Sequence, residues 1–548
     1  MVSEADRVRA ARFSQAELRD LQLESRVFGP LFLQRIQEDA QRDFLSFGER
    51  RFTYGEFGAR TLALARGLAS LGVGAGSIVP IALPNCPEYL MAWFALHLRG
   101  ATMALFNPAL RSRMLAQALI DCRPRCLIAS AEGIAALNEL EAPALEGLQT
   151  VIVVGESEDP PIAAGALQRA GVRVLRLEDL FVDDGPDPVV ATRFDEVQSI
   201  FFTSGSTGPA KGVLMPNGHF FANPCTMMRL TGLTRDDVLH TSLPLFHGVG
   251  SRQGVLPAFM IGARVDLGEK FSASRFWQTV AEVGATIAIL TPTMPPVLAA
   301  REPGPADRAH RLRALYNVAP DPAFESRFGV RMLTSFAITE IGVVIYTPYP
   351  ERRLGTMGRA HEDWELAVVD EADRPVAPGT PGELVCRPKR PFIMMQGYQD
   401  RPEAAASAWR NLWYHTGDTM IADADGYFRF AGRDKDRIRR RGENISPLQI
   451  EDELRQHPAV SDCVALAHPA GDGEDDVRVV LVLRPAAKAI TALPDLAAWL
   501  RPRLPASMLP RYWETLEVLP VTPSEKVDRR ALRERGLGQG SWDREAAL

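Results

Sequence analysis

Short apolar runs alternate with longer amphipathic segments between about residues 52 and 180. The runs are rich in β-branched residues and lie at 77–83, 126–130 and 150–155, and a helical pattern near 54–71 precedes the first of them. Strands that are apolar on both faces and separated by helical lengths form a mostly parallel sheet covered by helices. The pattern therefore predicts an α/β fold with mostly parallel sheets flanked by helices.

The pattern changes after the charged segment GRDKDRIRRRGEN at 432–444. Ser446 can cap a helix that begins at Pro447, and two strand-like runs, CVALA and VRVVLVL, follow it. Helical patterns near 496–504 and 528–535 complete what is typical of a small α+β domain. One hydrophobic core rarely extends beyond about 250–300 residues. We therefore predict two domains, residues 1–433 and 434–548.

Composition narrows the class of protein further. The 548 residues are 46% apolar and 24% charged, and the formal net charge of −6 gives no basic excess for binding nucleic acid. The six cysteines have neither metal-finger spacing nor the density of a disulfide framework, which favours reduced thiols and a cytoplasmic protein. The first residues lack the apolar core of a signal peptide, and no apolar stretch predicts a membrane span.

The segment SIFFTSGSTGPAKGVLM, residues 199–215, carries the strongest chemical signal. A buried strand leads into a loop whose glycines let backbone N–H groups approach an anion, while hydroxyls and one lysine add donors and charge. The loop suits a polyphosphate but is not a Walker A loop, because Gly212 follows Lys211 where Ser or Thr is required. Taken alone, it is equally typical of a flexible surface turn.

Three further segments, TSFAITE at 334–340, WYHTGDTMIADADGYFRFAGRDKDRI at 413–438 and LPVTPSEKVDRRALR at 519–533, are each weak alone. In this order and together with the loop, they resemble the adenylate-forming superfamily of acyl-CoA synthetases, nonribosomal adenylation domains and firefly-type luciferases. The stretches LPLFHGVG, RFGVRMLTSFAITE and IRRRGENIS look most like carnitine or crotonobetaine CoA ligases.

The resemblance implies a role for each matching position. The loop would hold the β- and γ-phosphates of ATP, with Thr207 near the metal, through Thr203, Ser204, Gly205, Ser206, Thr207, Gly208 and Lys211. Thr339 would contact the α-phosphate, Glu340 would bind Mg2+, and His247 would lie at the mouth of the acyl pocket. The remaining nucleotide contacts would come from Ala319, Phe336, Asp418 in a turn, and Arg433.

The resemblance also implies a mobile C-terminal domain with its hinge near Lys435. Lys526 would stabilise charge while a carboxylic acid and ATP form an acyl-AMP with loss of pyrophosphate. Rotation would then bring Gly442 to a pantetheine channel, where the thiol of coenzyme A attacks the acyl-AMP. The arginines at 437, 439, 440 and 441 would meet CoA phosphates or form a solvated basic face.

Several positions depart from the family pattern. Phe336-Ala337 replaces Tyr-Gly, Glu525 and Arg441 stand where small residues are usual, and Tyr316-Asn317-Val318-Ala319-Pro320 replaces a Gly-Gly segment. These departures affect pocket shape and rate more than reaction class, since the groups that face developing charge remain. We expect the bulk at 316–318 to shorten the acyl tunnel, so that a small or medium acid fits better than a long-chain fatty acid.

The leading hypothesis is an ATP-dependent acid:CoA ligase. Two alternatives stay open: an adenylation enzyme that delivers the acyl group to a carrier protein, and a catalytically idle AMP or acyl-CoA binding protein. The sequence identifies neither the acid nor the oligomeric state, for which a symmetric homodimer is the default expectation.

Overall fold

The computed structural model describes most of the chain, in the ranges 25–155, 165–203, 211–292, 294–433, 438–440, 443–445, 447–471, 473–484, 492–520, 527 and 529–546. Its backbone forms two compact units. The first comprises residues 1–108, 119–202 and 212–432, and the second comprises 109–118, 203–211 and 433–548. The predicted hinge at Lys435 lies outside the described residues, so the mobile domain stays a prediction. Within the described ranges, no helix is long and apolar enough to cross a bilayer.

The helices of the described ranges are numbered in chain order. They are α1 Phe28–Glu38, α2 Tyr54–Ser70, α3 Pro87–Leu98, α4 Ser112–Cys122, α5 Ala131–Asn138, α6 Gly165–Arg169, α7 Asn217–Thr231, α8 Leu256–Ile261, α9 Phe276–Glu282, α10 Met294–Ala299, α11 Pro322–Phe328, α12 Pro402–Ala408, α13 Pro447–Arg455, α14 Leu493–Leu500 and α15 Arg529–Arg535. A π-helix, Ser251–Val255, directly precedes α8.

A seven-stranded sheet has the order β14-β13-β12-β10-β11-β1-β2 and is parallel except for the β1–β2 pair. Its strands are β1 Asp43–Phe47, β2 Arg50–Thr53, β10 Val238–Thr241, β11 Arg264–Leu267, β12 Ile287–Ile289, β13 Ala314–Tyr316 and β14 Arg331–Leu333. The carboxyl ends of its parallel strands therefore lie at the same edge of the sheet. Tyr316 ends β13 at this edge, and the segment after it starts there.

An eight-stranded sheet has the order β20-β9-β8-β4-β3-β5-β6-β7, in which β8 to β7 run parallel. Its strands are β3 Ile78–Ala82, β4 Thr102–Leu105, β5 Cys126–Ser130, β6 Thr150–Val154, β7 Arg173–Arg176, β8 Val197–Thr203, β9 Lys211–Pro216 and β20 Gly397–Tyr398. The α/β prediction for residues 52–180 is confirmed. Helix α2 begins at the predicted position because Thr53 and Glu56 form a capping box.

A third sheet, of eight strands, is antiparallel in every pairing that the described residues define, and the sequence analysis did not predict it. Its strands are β15 Ser335–Ile338, β16 Gly342–Tyr346, β17 Gly358–Ala360, β18 Trp364–Val369, β19 Pro381–Pro388, β21 Trp409–Arg410, β22 Trp413–Ala422 and β23 Tyr427–Arg433. The apolar run VRMLTSF is divided between β14 and β15 at Thr334, so one run of the sequence contributes to two sheets.

The second unit contains a hairpin and a four-stranded sheet of order β26-β27-β28-β29. Its strands are β24 Ile438–Arg440, β25 Glu443–Ile445, β26 Val460–Pro469, β27 Asp475–Leu483, β28 Tyr512–Thr515 and β29 Trp542–Asp543. The helix predicted at 496–504 is shifted to Leu493–Leu500. It ends there because Pro502 has no backbone N–H with which to continue the helical hydrogen bonds.

Candidate active site

The predicted phosphate loop connects two neighbouring strands of the eight-stranded sheet. Strand β8 ends at Thr203 and strand β9 begins at Lys211, and both side chains are half-buried. Ser204, Gly205, Ser206, Thr207 and Gly208 lie outside the described residues. The structure therefore supplies the two strand ends that flank the loop, and the roles assigned to the loop itself stay predictions.

Thr339 and Glu340 lie in the turn that joins β15 to β16, and both are half-buried. The hydroxyl of Tyr398 donates a hydrogen bond to Glu340 Oε1 at 3.0 Å, and the Met395 backbone N–H donates to the Glu340 carbonyl at 2.8 Å. Tyr398 belongs to β20, where it is paired with Val213 of β9. The Glu340 carboxylate is therefore held beside the strand that follows the phosphate loop.

Gly342 sets how closely this turn approaches helix α7. Its φ of +73° lies in the left-handed region, and a Cβ there would meet His219 Cε1 at 2.8 Å and Asn223 Oδ1 at 3.0 Å. The Asn223 side chain in turn accepts a hydrogen bond from the Val343 N–H at 3.2 Å. Any larger residue at 342 would push the turn, and Glu340 with it, away from α7.

A buried arginine that the sequence analysis did not single out lies close to this turn. Arg252 donates through Nη1 to Nε2 of His219 at 2.6 Å, and its guanidinium carbon lies 4.0 Å from the ring centroid of Phe201 on β8. Burial lowers the pKa of the Arg252 guanidinium to about 9, and the charge of Glu340 opposes that shift. Among the described residues, Arg252 forms no ion pair with a carboxylate.

The histidine beneath Arg252 is neutral. His219 Nδ1 lies 2.7 Å from the carbonyl oxygen of Ile393, which can only accept, so Nδ1 carries the proton and Nε2 accepts from Arg252. Burial, followed by the charge of Arg252, lowers the pKa of His219 to about 3. The charge next to the Glu340 turn therefore belongs to Arg252 and not to the imidazole.

The π-helix that carries Arg252 also supports His247. The Ser251 N–H donates to the His247 carbonyl at 3.1 Å, and the Ser251 hydroxyl donates to the same oxygen at 2.9 Å. Gly248 leaves room for the guanidinium, since a Cβ there would lie 2.7 Å from Arg252 Nη2. The half-buried His247, predicted at the mouth of the acyl pocket, and the buried cation thus share one short segment.

Tyr316, the first residue of the segment that replaces the family's Gly-Gly segment, is buried at the end of β13. Its hydroxyl donates to Gln253 Oε1 at 3.0 Å and lies 3.0 Å from Ser335 Oγ, so one side chain joins the π-helix to β15. Phe336, predicted to face adenine, is buried in β15, whereas Ala319 is exposed. The fixed phenol ring supports the expectation that this segment carries extra bulk.

Asp418 is not in a turn, as the sequence analysis predicted, but inside strand β22. The mistake has a local cause: residues 416–418 bulge from the strand, because Glu383 is paired with Thr419 and Val385 with His415. Glu383 pins the bulge through His415 Nδ1, 2.9 Å from Oε2, and through the Gly417 N–H, 2.9 Å from Oε1. Asp418 is buried, and its ribose contact stays a prediction.

Most of the site residues predicted in the second unit lie outside the described residues. Lys435, Gly442 and Lys526 lie outside the described residues, and Arg433 ends β23 with its side chain undescribed. Arg440, expected at CoA phosphates or on a solvated face, is instead buried and forms ion pairs with Asp476 and Glu545. The expectation for Arg440 is therefore wrong, because carboxylates of its own unit neutralise it.

The donors that the structure describes are suited to a magnesium ion bound mainly by phosphates. Glu340 presents a hard carboxylate in a half-buried turn, and its second predicted protein partner, Thr207, lies outside the described residues. In the described ranges, no cluster of three or more His, Cys, Asp or Glu side chains forms a metal cage. Mg2+ commonly binds one or two carboxylates together with substrate phosphates and water, which this donor set can provide.

Solved structures with the same architecture identify the class of fold. The o-succinylbenzoate CoA synthetase of Bacillus subtilis, bound to its product analogue, aligns with a TM-score of 0.78 at 22% identity, over 92% of this chain and 98% of that chain. An amide bond synthetase from Marinactinospora thermotolerans aligns with a TM-score of 0.76 at 22% identity, over 92% and 99% of the two chains. The predicted adenylate-forming fold is confirmed.

Sequence comparison gives the family. A crotonobetaine/carnitine–CoA ligase of Salmonella heidelberg (strain SL476) is 29% identical over 493 residues, covering 88% of this chain and 93% of that protein. The model of the AMP-binding enzyme family matches residues 32–399, more than half of the chain. The chain belongs to the family of AMP-binding enzymes. The predicted resemblance and the enzyme class, an AMP-forming acid–thiol ligase, are confirmed.

Proposed function

We propose that the protein joins a small or medium carboxylic acid to coenzyme A at the expense of ATP, with the acyl-AMP as intermediate. The observation that carries the proposal is the Glu340 turn, whose carboxylate is fixed by Tyr398 beside the strand that leaves the phosphate loop. The match to the AMP-binding family and the similarity to CoA ligases support it. We also propose a cytoplasmic location and a homodimer.

Activation is needed because a carboxylate is a poor acyl donor, and transfer to AMP gives it a leaving group. In the proposal, Lys211 and the loop hydroxyls hold the β- and γ-phosphates, Thr339 contacts the α-phosphate, and Lys526 stabilises the charge that develops there. Asp418 and Arg433 hold the ribose, and Phe336 and Ala319 lie near adenine.

Glu340 and Thr207 would hold Mg2+, which neutralises phosphate charge when bound. Tyr398 keeps the Glu340 carboxylate oriented, and Tyr414 lies next in the chain of hydroxyls at 3.4 Å from Tyr398. Burial, followed by the charge of Glu340, raises the pKa of Tyr414, so its hydroxyl stays protonated. The phenols therefore act as donors and leave the negative charge on Glu340.

The size of the acid follows from Tyr316. Its ring is buried and its hydroxyl is anchored on both sides, so it cannot swing aside at low cost to admit a longer chain. A Gly at this position would leave that volume open. We therefore propose that the protein prefers small or medium acids, with His247 near the entrance of the pocket.

The direct test is ATP–pyrophosphate exchange with a panel of carboxylic acids of increasing length, followed by AMP formation with CoA present. We expect exchange that depends on the added acid and thioester formation from short acids. Palmitate should react well only in Tyr316→Ala, with Tyr316→Phe as the control that keeps the ring. Palmitate turnover by the unaltered protein at the rate of short acids would contradict the size preference.

A second test separates the two half-reactions. Lys526→Ala should abolish acid-dependent pyrophosphate exchange while it spares thioester formation from preformed acyl-AMP. Equal loss of both steps contradicts the role assigned to Lys526. Absence of acid-dependent exchange in the unaltered protein favours the idle binding protein, and acyl transfer to a carrier thiol without reaction with CoA favours the carrier-protein alternative.

A further inference from the structure

Gln253, on the π-helix, is held at two points beside the predicted acyl pocket. Its backbone N–H donates to the Gly248 carbonyl at 2.9 Å, which closes a π-turn directly after His247. Such turns are frequent at functional sites. Its side-chain Oε1 accepts from the Tyr316 hydroxyl at 3.0 Å. Gln253 therefore contacts both the segment predicted at the mouth of the pocket and the residue proposed to limit the length of the acid.

The hydrogen bonds of Tyr316 determine which atom of the Gln253 amide stays available. The phenol has one proton and donates it to Gln253 Oε1, so Ser335 Oγ, 3.0 Å from the same phenol oxygen, is the donor of the second bond. Burial raises the pKa of Tyr316 to about 12, so the phenol keeps its proton at neutral pH. The amide is thus oriented with Oε1 towards Tyr316, and both Nε2 protons remain for other acceptors.

The Nε2 group of Gln253 has no acceptor among the residues that the structure describes, although Gln253 is only 6% exposed. It is also not one of the unpartnered atoms that are sealed off from solvent, so it faces accessible space. A largely buried amide donor is costly unless an acceptor reaches it. The arrangement therefore suits a ligand that brings its own acceptor to Nε2.

The neighbouring charge narrows the chemistry of that ligand. Arg252 directly precedes Gln253 on the π-helix, and its buried guanidinium contacts the neutral His219 and the ring of Phe201. Its positive potential favours an electron-rich oxygen near Gln253 and disfavours a cationic group there. The donor and the potential therefore both favour an acid that carries an acceptor oxygen besides its reacting carboxylate.

We propose that Gln253 is a specificity-determining residue whose Nε2 donates a hydrogen bond to the acid, so that the substrate is a short or medium carboxylic acid with a keto or comparable carbonyl group. The inference rests on the proposed function, which puts the acid in the pocket beside Tyr316. A site that hydrogen-bonds a substrate group rejects the analogue that lacks it, because the donor of the site is then left unpaired. Gln253 thus selects the chemistry of the acid, whereas Tyr316 limits its length.

The test compares pairs of acids of equal size in ATP–pyrophosphate exchange by the unaltered protein. Each pair consists of an oxo acid and the acid in which CH–CH3 replaces C=O. The pairs are 4-oxopentanoate with 4-methylpentanoate, 5-oxohexanoate with 5-methylhexanoate, and 6-oxoheptanoate with 6-methylheptanoate. For at least one pair, we expect kcat/KM of the oxo acid to exceed that of the methyl acid by about tenfold or more.

Two replacements of Gln253 show whether its amide causes the preference. Gln253→Glu keeps an acceptor for the Tyr316 hydroxyl but removes the Nε2 donor, and Gln253→Met removes both. The ratio of the two kcat/KM values should fall to about one in each variant, whatever general loss of activity accompanies it. Ser335→Ala is the matched control, because it removes the other hydrogen bond of Tyr316 and leaves Nε2 in place. Its ratio should stay within about twofold of the unaltered protein.

Each outcome decides the inference. Rates for the oxo acids that are equal to or below those of the methyl acids for every pair overturn it. A preference for oxo acids that persists in both Gln253 variants also overturns it, since another group would then select the carbonyl. Both results leave the proposed function standing if exchange depends on an added acid. If no acid supports exchange by the unaltered protein, the proposed function fails and the inference falls with it.

Discussion

Arg252 in the first unit is 3% exposed, and Arg440 and Arg478 in the second are 4% and 2% exposed. Their surroundings differ. Arg252 contacts a neutral imidazole and an aromatic ring, whereas Arg440 pairs with Asp476 and Glu545, and Arg478 pairs with Glu514 and donates to the Leu532 carbonyl at 2.9 Å. The second unit thus neutralises its buried cations internally.

The difference shows which buried charges stabilise the fold. A buried cation is costly unless carboxylates and acceptors compensate it, and the second unit provides both. Near Arg252 the described residues provide dipoles, a π-face and the more distant charge of Glu340. We expect the positive potential of Arg252 to act on the Glu340 turn and on anionic substrates, rather than to stabilise the first unit.

The largest effect is expected from Arg478→Met. This change leaves Glu514 buried without its main partner, so the free energy of unfolding of the second unit should fall by about 3–5 kcal/mol. Urea unfolding followed by tryptophan fluorescence measures it, since Trp513 is buried in this unit. The double variant R478M/E514L should recover most of the loss. A loss below about 1 kcal/mol in the single variant would remove the contrast between Arg478 and Arg252.

Arg252→Met should have the opposite effects, with little change in stability and a large loss of activity. Stability should change by about 1 kcal/mol or less, because the cost of burying the charge disappears together with one hydrogen bond to His219. Acid-dependent pyrophosphate exchange should fall about tenfold to hundredfold, less than the loss of a direct oxyanion donor. Arg252→Lys, which keeps the charge, is the matched control. A large loss of stability with unchanged pyrophosphate exchange would show that Arg252 stabilises the fold, as Arg440 and Arg478 do.

The pH dependence of stability sharpens the assignment of charge to Arg252. His219 has a pKa of about 3 in the fold against 6.5 in the unfolded chain, so below pH 6.5 only the unfolded chain takes up this proton. As the pH is lowered from 6.5 to 3, the free energy of unfolding should therefore fall by about 1.4 kcal/mol per pH unit. Above pH 6.5 the contribution of His219 to stability should be fully present.

His219→Gln keeps a donor for Ile393 and an acceptor for Arg252, and should remove this slope. The measurement is urea unfolding of both proteins from pH 7 to pH 5. His97, which is also buried with a lowered pKa, contributes equally to both proteins, so the difference between their profiles reports on His219. Parallel profiles for the two proteins would show that His219 is not the neutral partner of Arg252.

The smallest effect is expected from Tyr316→Phe. The ring stays in place, but Gln253 and Ser335 lose their common partner, so stability should fall by about 1 kcal/mol. Thermal melting measures the change, and Ser335→Ala is the matched control that removes one of the two contacts. A loss of several kcal/mol would mean that Tyr316 also organises the surroundings of Arg252.

Local patterns predicted much of the fold. The helical pattern near 54–71 and the apolar runs at 126–130 and 150–155 gave a helix and strands close to their observed bounds. The antiparallel sheet was missed because its strands are partly exposed and vary in length from 2 to 10 residues. Asp418 was misplaced because Gly417 interrupts the pattern of β22. A glycine within an extended run indicates a bulge as well as a turn.

Site residues that belong to a sequence motif could be predicted from the sequence. Site residues that only packing brings together could not. Glu340 follows from its segment, whereas Arg252 lies in the sequence SRQ, which is typical of a polar surface. Its burial depends on Phe201 and His219, which are distant in the chain, and on the space above the nearby Gly248. The sequence signal that remained was the pair of glycines at 248 and 250 before a helix.

Asp476 and Arg478 are two positions apart on β27 and therefore share one face of the strand. Asp476 holds the hairpin through Arg440, and Arg478 holds α15, the helix after Lys526, at Leu532. A single strand thus fixes the separation between the β24–β25 hairpin and α15 within the second unit. The rotation that the sequence predicts would therefore carry the hairpin and α15 together, without internal refolding of the second unit.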